Sequence, residues 1–212
     1  ESGDAFFGIA LLSGYADGEG RMGRFGGSKH AIPRREEIPP AAALDSNYAV
    51  EVAGSYASDG LTLFLGGYYE DNESNTPAQD GSTYLINAYA TYETGAWLFA
   101  GEVNLGNSEN GSYETMGEDD DALSGLVMAN YAYSDVASIT GRVSYESLDA
   151  SRIGFQDLEW DQYKLTLAHG YAFTDNLFLV TEVSYIDGEI DNGATTSDYD
   201  GLEGAVELIF AF

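Results

Sequence analysis

Seven glutamates recur at one parity along alternating segments of the chain: Glu51, Glu70, Glu102, Glu146, Glu182, Glu203 and Glu207. Arg142 and Lys164 fall on the same faces. Carboxylates set out this way suit acid–base chemistry, a hard metal ion, or the lining of a wet passage. Catalysis finds little support. No G-x-S-x-G segment exists, and His30 and His169 do not pair with a serine in any recognisable way. No enzyme is expected. The acidic runs Glu118–Asp121 and Asp187–Asp200 offer oxygens suited to Ca²⁺, but without EF-hand spacing they read as solvated charge. No metal and no cofactor are expected. A lining remains. Carboxylates are costly in hydrocarbon, so on a membrane wall they must face inward. A carboxylate-lined pore favours cations. The other reading is that the same acids, with Arg142 and Lys164, are ion-paired filler in a plugged interior.

The elements that carry these residues alternate with period two. The closing stretch, Asp200–Phe212, puts Leu202, Gly204, Val206, Leu208, Phe210 and Phe212 on one face. Gly201, Glu203, Ala205, Glu207, Ile209 and Ala211 lie on the other. About ten residues is the length a tilted strand needs to cross a bilayer. Ala5–Tyr15 is a first strand. Four hairpins follow. Asn47–Tyr56 and Leu61–Glu70 turn at Ser58-Asp59-Gly60. Tyr84–Tyr92 and Trp97–Leu105 turn at Glu93-Thr94-Gly95. Leu123–Tyr133 and Ala137–Glu146 turn at Ser134-Asp135-Val136. Tyr163–Phe173 and Leu177–Tyr185 turn at Thr174-Asp175-Asn176. Between them lie longer connections: Ala16–Ser46, Asp71–Gly81, Gly106–Asp121, Ser147–Trp160 and Ile186–Tyr199.

The spacing therefore predicts ten strands in one domain over residues 1–212. Four connections are short and five are long and polar. That asymmetry is the one shown by antiparallel transmembrane β-barrels, with short periplasmic turns and long extracellular loops. Ten is even, so the first and last strands are expected to pair antiparallel and close the sheet. Aromatics collect near the short turns (Tyr56, Tyr92, Trp97, Tyr131, Tyr133, Tyr171, Phe173, Phe210, Phe212). A second group lies near the long loops (Tyr15, Tyr48, Tyr69, Tyr84, Tyr145, Tyr163, Tyr185). Two bands flanking aliphatic residues match the girdles at the two membrane interfaces.

Composition agrees. The formal net charge is −28, from 8 basic and 36 acidic residues, which excludes a nucleic-acid partner. Aromatics reach 13%, too many for an acidic disordered chain. There is no cysteine, hence no disulfide scaffold and no thiolate metal site. No apolar stretch is long enough for a transmembrane helix. Without a recognisable signal segment, the sequence reads as a mature chain or a piece of one.

ALSGLVMANYAYSDVASITGRVSYES and DQYKLTLAHGYAFTDNLFLVTEVSY resemble the strand–turn–strand units of bacterial outer-membrane porins, especially the OmpL-like β-barrel porins. NYAVEVAGSYASDGLTLFLGGYYED is similar to hairpins of general trimeric porins. The resemblance covers Asn47–Phe212. Arg142 and Glu146 stand where the OmpL-like pattern has an R-Y-E-like strand, although Ser144-Tyr145-Glu146-Ser147 departs from it. It implies an integral outer-membrane protein for passive diffusion of small solutes, in contact with outer-membrane lipid and lipopolysaccharide, and is compatible with a homo-oligomer, a trimer. It also implies that Phe212, as a terminal aromatic, is an assembly signal read by the barrel-assembly machinery. Such families have more strands, so the chain is either a small barrel or the carboxy-terminal part of a larger one.

The segment holding Arg21, Arg24, Lys29, Arg34 and Arg35 is the chain's basic counterweight. It either folds into the acidic lumen as a constriction or plug, binds lipopolysaccharide phosphates or a partner from outside, or is a plain mobile loop. His169 falls on the apolar face between Leu167 and Tyr171. A protomer interface or a register break at Gly170 is expected there.

Overall fold

The computed structural model describes residues 4–13, 48–72, 81–109, 117–152 and 157–211. Ten strands run through them: β1 (Asp4–Ser13), β2 (Tyr48–Ser58), β3 (Leu61–Asn72), β4 (Gly81–Thr94), β5 (Trp97–Glu109), β6 (Gly117–Ser134), β7 (Ala137–Arg152), β8 (Leu158–Thr174), β9 (Leu177–Asp191) and β10 (Thr196–Phe210). They form one antiparallel meander in sequence order. The two-residue pleat found in the sequence is the pleat of this sheet.

The short turns explain themselves locally. Asp59 (φ 50°) and Gly60 (φ 80°) both take the left-handed backbone that a primed two-residue turn requires. Gly95 (φ 59°) does the same at the start of the β4–β5 turn. The other two turns, Asp135-Val136 and Asp175-Asn176, contain no glycine. There the ladders slip by one residue instead, between Ala132 and Ser134 and between Ala172 and Thr174. A bulge supplies the extra twist that the turn residues do not.

Two expectations are corrected. Among the described residues β1 and β10 do not pair; each borders a single neighbour. An even strand count permits antiparallel closure, but closure also needs enough tilt and stagger to bring the edges together. The stretch Ile186–Tyr199 is not a long loop either. β9 continues to Asp191 and β10 begins at Thr196. The Asn192 side chain accepts from the backbone N–H groups of Ala194 (3.0 Å) and Thr195 (2.9 Å), while Asp191 accepts from Gly193 N–H and Thr196 Oγ1 (both 2.6 Å). These bonds fold four residues into a tight turn, so the acidic stretch is an extended hairpin. The β5–β6 and β7–β8 pairs also run past the expected strand ends.

Burial is inverted relative to a water-soluble protein. The buried apolar side chains among the described residues are alanines: Ala49, Ala137 and Ala150. The most buried polar ones include Ser184, 2% exposed, and Asn87, 4% exposed. Leu165 and Leu202 are 58% and 77% exposed. Large aliphatics on the outside and hydrogen-bonded polar groups inside are what a lipid solvent selects. On β8 the outward band runs from Tyr163 to Phe173. At ~3.3 Å per residue and a tilt of ~40° it is about 25 Å tall, the height of the apolar band of outer-membrane barrels.

Candidate functional site

Strand pairing puts all nine expected lining residues on the inner face. Glu51 lies opposite Tyr68, Glu70 opposite Thr83, Glu102 opposite Tyr89 and Glu146 opposite Gln162. Arg142 lies opposite Thr166, Lys164 opposite Ser144, Glu182 opposite Ala168, Glu203 opposite Ser184 and Glu207 opposite Val180. The basic segment Arg21–Arg35 and Phe212 lie outside the described residues.

The face has two electrostatically different halves. On β7–β10 two ion pairs form, while Glu146 and Glu207 stand opposite the neutral Gln162 and Val180. Arg142 Nη2 stands 3.6 Å from Glu182 Oε1 and donates to Thr166 Oγ1 at 3.4 Å. Thr166 and Ser184 share a hydroxyl bond of 2.9 Å, and Ser184 Oγ donates to Glu182 Oε1 at 3.1 Å. One polar chain thus links β7, β8 and β9. Lys164 Nζ donates to Glu203 Oε2 at 2.8 Å across β9. Nearer the long-connection end, Trp160 Nε1 donates to Tyr199 Oη (2.7 Å), which donates to Gln162 Oε1 (3.1 Å). The Tyr199 ring lies over Gly188, where no Cβ would fit.

On β2–β6 the charges are unmatched. No Lys or Arg occurs between Arg35 and Arg142. Glu51, Glu70 and Glu102 therefore share that wall with no basic side chain of β2–β6. Tyr68 Oη donates to Glu70 Oε2 at 2.6 Å. Asn87 Nδ2 donates to Glu102 Oε1 (2.8 Å) and to Asn104 Oδ1 (2.7 Å). Asn104 Nδ2 reaches Glu102 Oε1 and Ser124 Oγ, both at 3.3 Å. These bonds fix the carboxylate without neutralising it. Beside it, Phe64 and Tyr89 stack on the inner face, with ring centroids 5.0 Å apart and an interplanar angle of 12°. The carboxamide ladder and this ring pair escaped the sequence reading, which sorted aromatics by height along the strand. Their signal was parity: Phe64, Tyr68 and Tyr89 stand out of phase with the outward tyrosines.

The outer face carries the two aromatic bands. Tyr48 packs near Tyr69 (6.1 Å) and Tyr145 on Tyr163 (4.6 Å) at the long-connection end. Trp97 packs on Tyr131 (4.6 Å) and Phe99 (5.6 Å), and Tyr171 on Phe173 (5.1 Å), at the short-turn end. His169 sits in the lower band without a register break at Gly170; the break falls at Phe173, between Ala172 and Thr174. Its Nε2 and Tyr133 Oη are 2.6 Å apart, so the ring is satisfied within the girdle. Above the upper band, strand pairing aligns Asp121, Asp149, Glu159 and Asp191 in one row across β6–β9. A second row joins Asp161, Glu189 and Asp198. The acidic runs thus form an outward collar on strand extensions, beyond the apolar band.

An antiparallel meander with aliphatic residues and aromatic bands outside and a polar wall inside defines an outer-membrane β-barrel protein. Solved structures agree on the fold. "Outer-membrane expressed OmpT of Vibrio cholerae" superposes with a TM-score of 0.56 at 15% identity, covering 78% of this chain and 57% of that one. The in-vitro folded form of OmpT, "an outer membrane protein of Vibrio cholerae", gives 0.50 at 17% identity, covering 77% and 56%. The chain thus spans little more than half the length of these barrels. No curated protein matches it. Residues 42–212 match the family described as "Putative beta-barrel porin-2, OmpL-like". The chain belongs to that family and is an integral protein of the outer membrane.

Proposed function

We propose that the sheet forms the wall of a water-filled outer-membrane channel for passive diffusion of small solutes, with a modest preference for cations, and that the protein is no hydrolase. The observation that carries this reading is the unmatched half of the inner face, where Glu51, Glu70 and Glu102 face no basic side chain of their own strands. Buried carboxylates without cation partners are strongly disfavoured, and water relieves that cost. At physiological salt the Debye length is about 8 Å, comparable to the radius of a small pore. Opposite walls then overlap in potential and concentrate cations. The free edge of β10 cannot remain unpaired in hydrocarbon, so pairing with β1 or with further strands belongs to this proposal. Contact with lipopolysaccharide, insertion by the barrel-assembly machinery and assembly into a trimer belong to it as well.

The test is a reversal potential in a KCl gradient across a planar bilayer. The native protein is expected to prefer K⁺, and the combined variant Glu51→Gln, Glu70→Gln, Glu102→Gln is expected to weaken that preference. Anion preference in the native protein would refute the selectivity. A second reading rests on the β7–β10 half, whose ion pairs suit a packed interior in which the barrel serves as a structural or partner-binding element. Absence of conductance would decide for it.

A further inference from the structure

We infer that the β3–β5 stretch of the inner face is a binding site for organic cations, specifically for solutes with an alkylated ammonium group. The inference rests on the wetted inner face of the proposed channel and names the solutes it selects. Three observations meet at one place. Phe64 and Tyr89 are register partners on β3 and β4, stacked at 5.0 Å. Tyr89 is more than a third exposed, so its ring is accessible from the interior. Glu102 is the next register partner, on β5. Side chains so paired stand about 5 Å apart at their Cβ atoms.

The local structure holds these groups ready. A Cβ at Gly66 would stand 3.0 Å from the Phe64 ring, so the glycine is what lets that ring lie along its own strand. Glu102 is held through Oε1 by Asn87 and Asn104. Among the described residues its Oε2 has no partner. Asn87 is itself buried and saturated by its two acceptors, so the carboxylate cannot swing away without leaving that amide unsatisfied. Glu51 and Glu70 add negative potential from the neighbouring strands, and no cation of β2–β6 offsets it.

The pairing of features selects the ligand class. An inorganic cation would be served by the carboxylates alone and gains little from two stacked rings beside them. A neutral ring-shaped solute would use the rings but would leave the fixed charge uncompensated. An alkylated ammonium uses both: its methyl groups carry the positive charge onto the ring face, and the carboxylate supplies the counter-charge.

Saturation-transfer NMR with tetramethylammonium chloride reads binding directly, on the full-length protein in a non-ionic detergent. KCl conductance in planar bilayers reads the channel separately. The native protein is expected to show saturation transfer to the ligand methyl protons that K⁺ displaces only weakly. Apparent affinity should fall about threefold in Tyr89→Leu and in Phe64→Leu, which keep apolar bulk but lose the ring face. Tyr89→Phe should retain it, and Glu102→Gln should weaken it. Equal affinity in the native protein and Tyr89→Leu, or displacement by K⁺ at equal concentration, overturns the inference whether or not KCl conducts. Ring-dependent binding without KCl conductance upholds the site and overturns the channel.

Discussion

Arg142 on β7 and Glu182 on β9 meet at 3.6 Å across the intervening strand, over the buried hydroxyls of Thr166 and Ser184. Both are about two-thirds shielded from water, and Glu182 also accepts from Ser184. Lys164 and Glu203 form a shorter pair, but more than half of the Glu203 side chain is exposed. Shielding should outweigh distance. Arg142→Met is expected to lower unfolding stability by about 1–2 kcal/mol, because it strands a partly buried carboxylate. Lys164→Met should cost less than about 1 kcal/mol, as exposed pairs do. Urea unfolding in lipid vesicles compares them, and equal losses would contradict the ranking.

Turn glycines should differ as sharply. A Cβ at Gly60 would run into the backbone carbonyl of Glu93, whose N–H donates to Gly60 O at 2.8 Å. At Gly95 a Cβ meets nothing within 4 Å. Both residues need positive φ. Gly95→Ala should therefore cost about 1 kcal/mol from backbone strain alone, and Gly60→Ala clearly more. The same unfolding measurement orders the two.

The β9–β10 tip should respond to pH in two opposite senses. Packing against its neighbours, a hydrogen bond shared with Asp198, and the charges of Asp198, Asp161 and Asp191 hold the Glu189 carboxyl above its ordinary range. Its contribution is present at pH below the unfolded value and is lost as pH rises through the folded one. Bonds from Thr196 Oγ1 and the Gly193 N–H hold Asp191 below the ordinary range. Its contribution is present above the unfolded value and is lost as pH falls through the folded one. Amide exchange at Gly193–Thr196 should thus be slowest within the carboxylate range. Glu189→Gln should remove the loss of protection on the alkaline side, and Asp191→Asn the loss on the acid side.

The basic segment is the competing term in selectivity. If Arg21, Arg24, Lys29, Arg34 and Arg35 enter the lumen, their charge nearly cancels the wall. Deleting residues 21–35 should then raise single-channel conductance and sharpen cation preference. Unchanged values would place the segment outside the conducting path.

Phe212→Asp replaces an aromatic that follows β10 in the sequence with a charge. By likeness to porin assembly signals, a large loss of protein in the outer-membrane fraction is expected. Normal insertion, read by heat-modifiable migration on a gel, would show that Phe212 carries no such signal.

The sequence by itself determined the strands and the faces. A pleat of period two leaves no freedom: once Leu202, Val206 and Phe210 face lipid, Glu203 and Glu207 must face inward. Hence all nine residues could be assigned to one face of the sheet before any register was known. Glycine with Asp or Thr marked two tight turns, because positive φ is a local requirement. Lateral neighbours were another matter. Which glutamate finds a base depends on the register between strands far apart in sequence. Only the tertiary structure brought Arg142 to Glu182 and Lys164 to Glu203, leaving Glu51, Glu70 and Glu102 on strands that carry no base at all. It also set Phe64 against Tyr89, Tyr133 against His169, and turned an apparent acidic loop into a hairpin through the side chains of Asp191 and Asn192. Strand pairing decides these contacts, and a one-dimensional pattern fixes which way a side chain points but not what stands beside it.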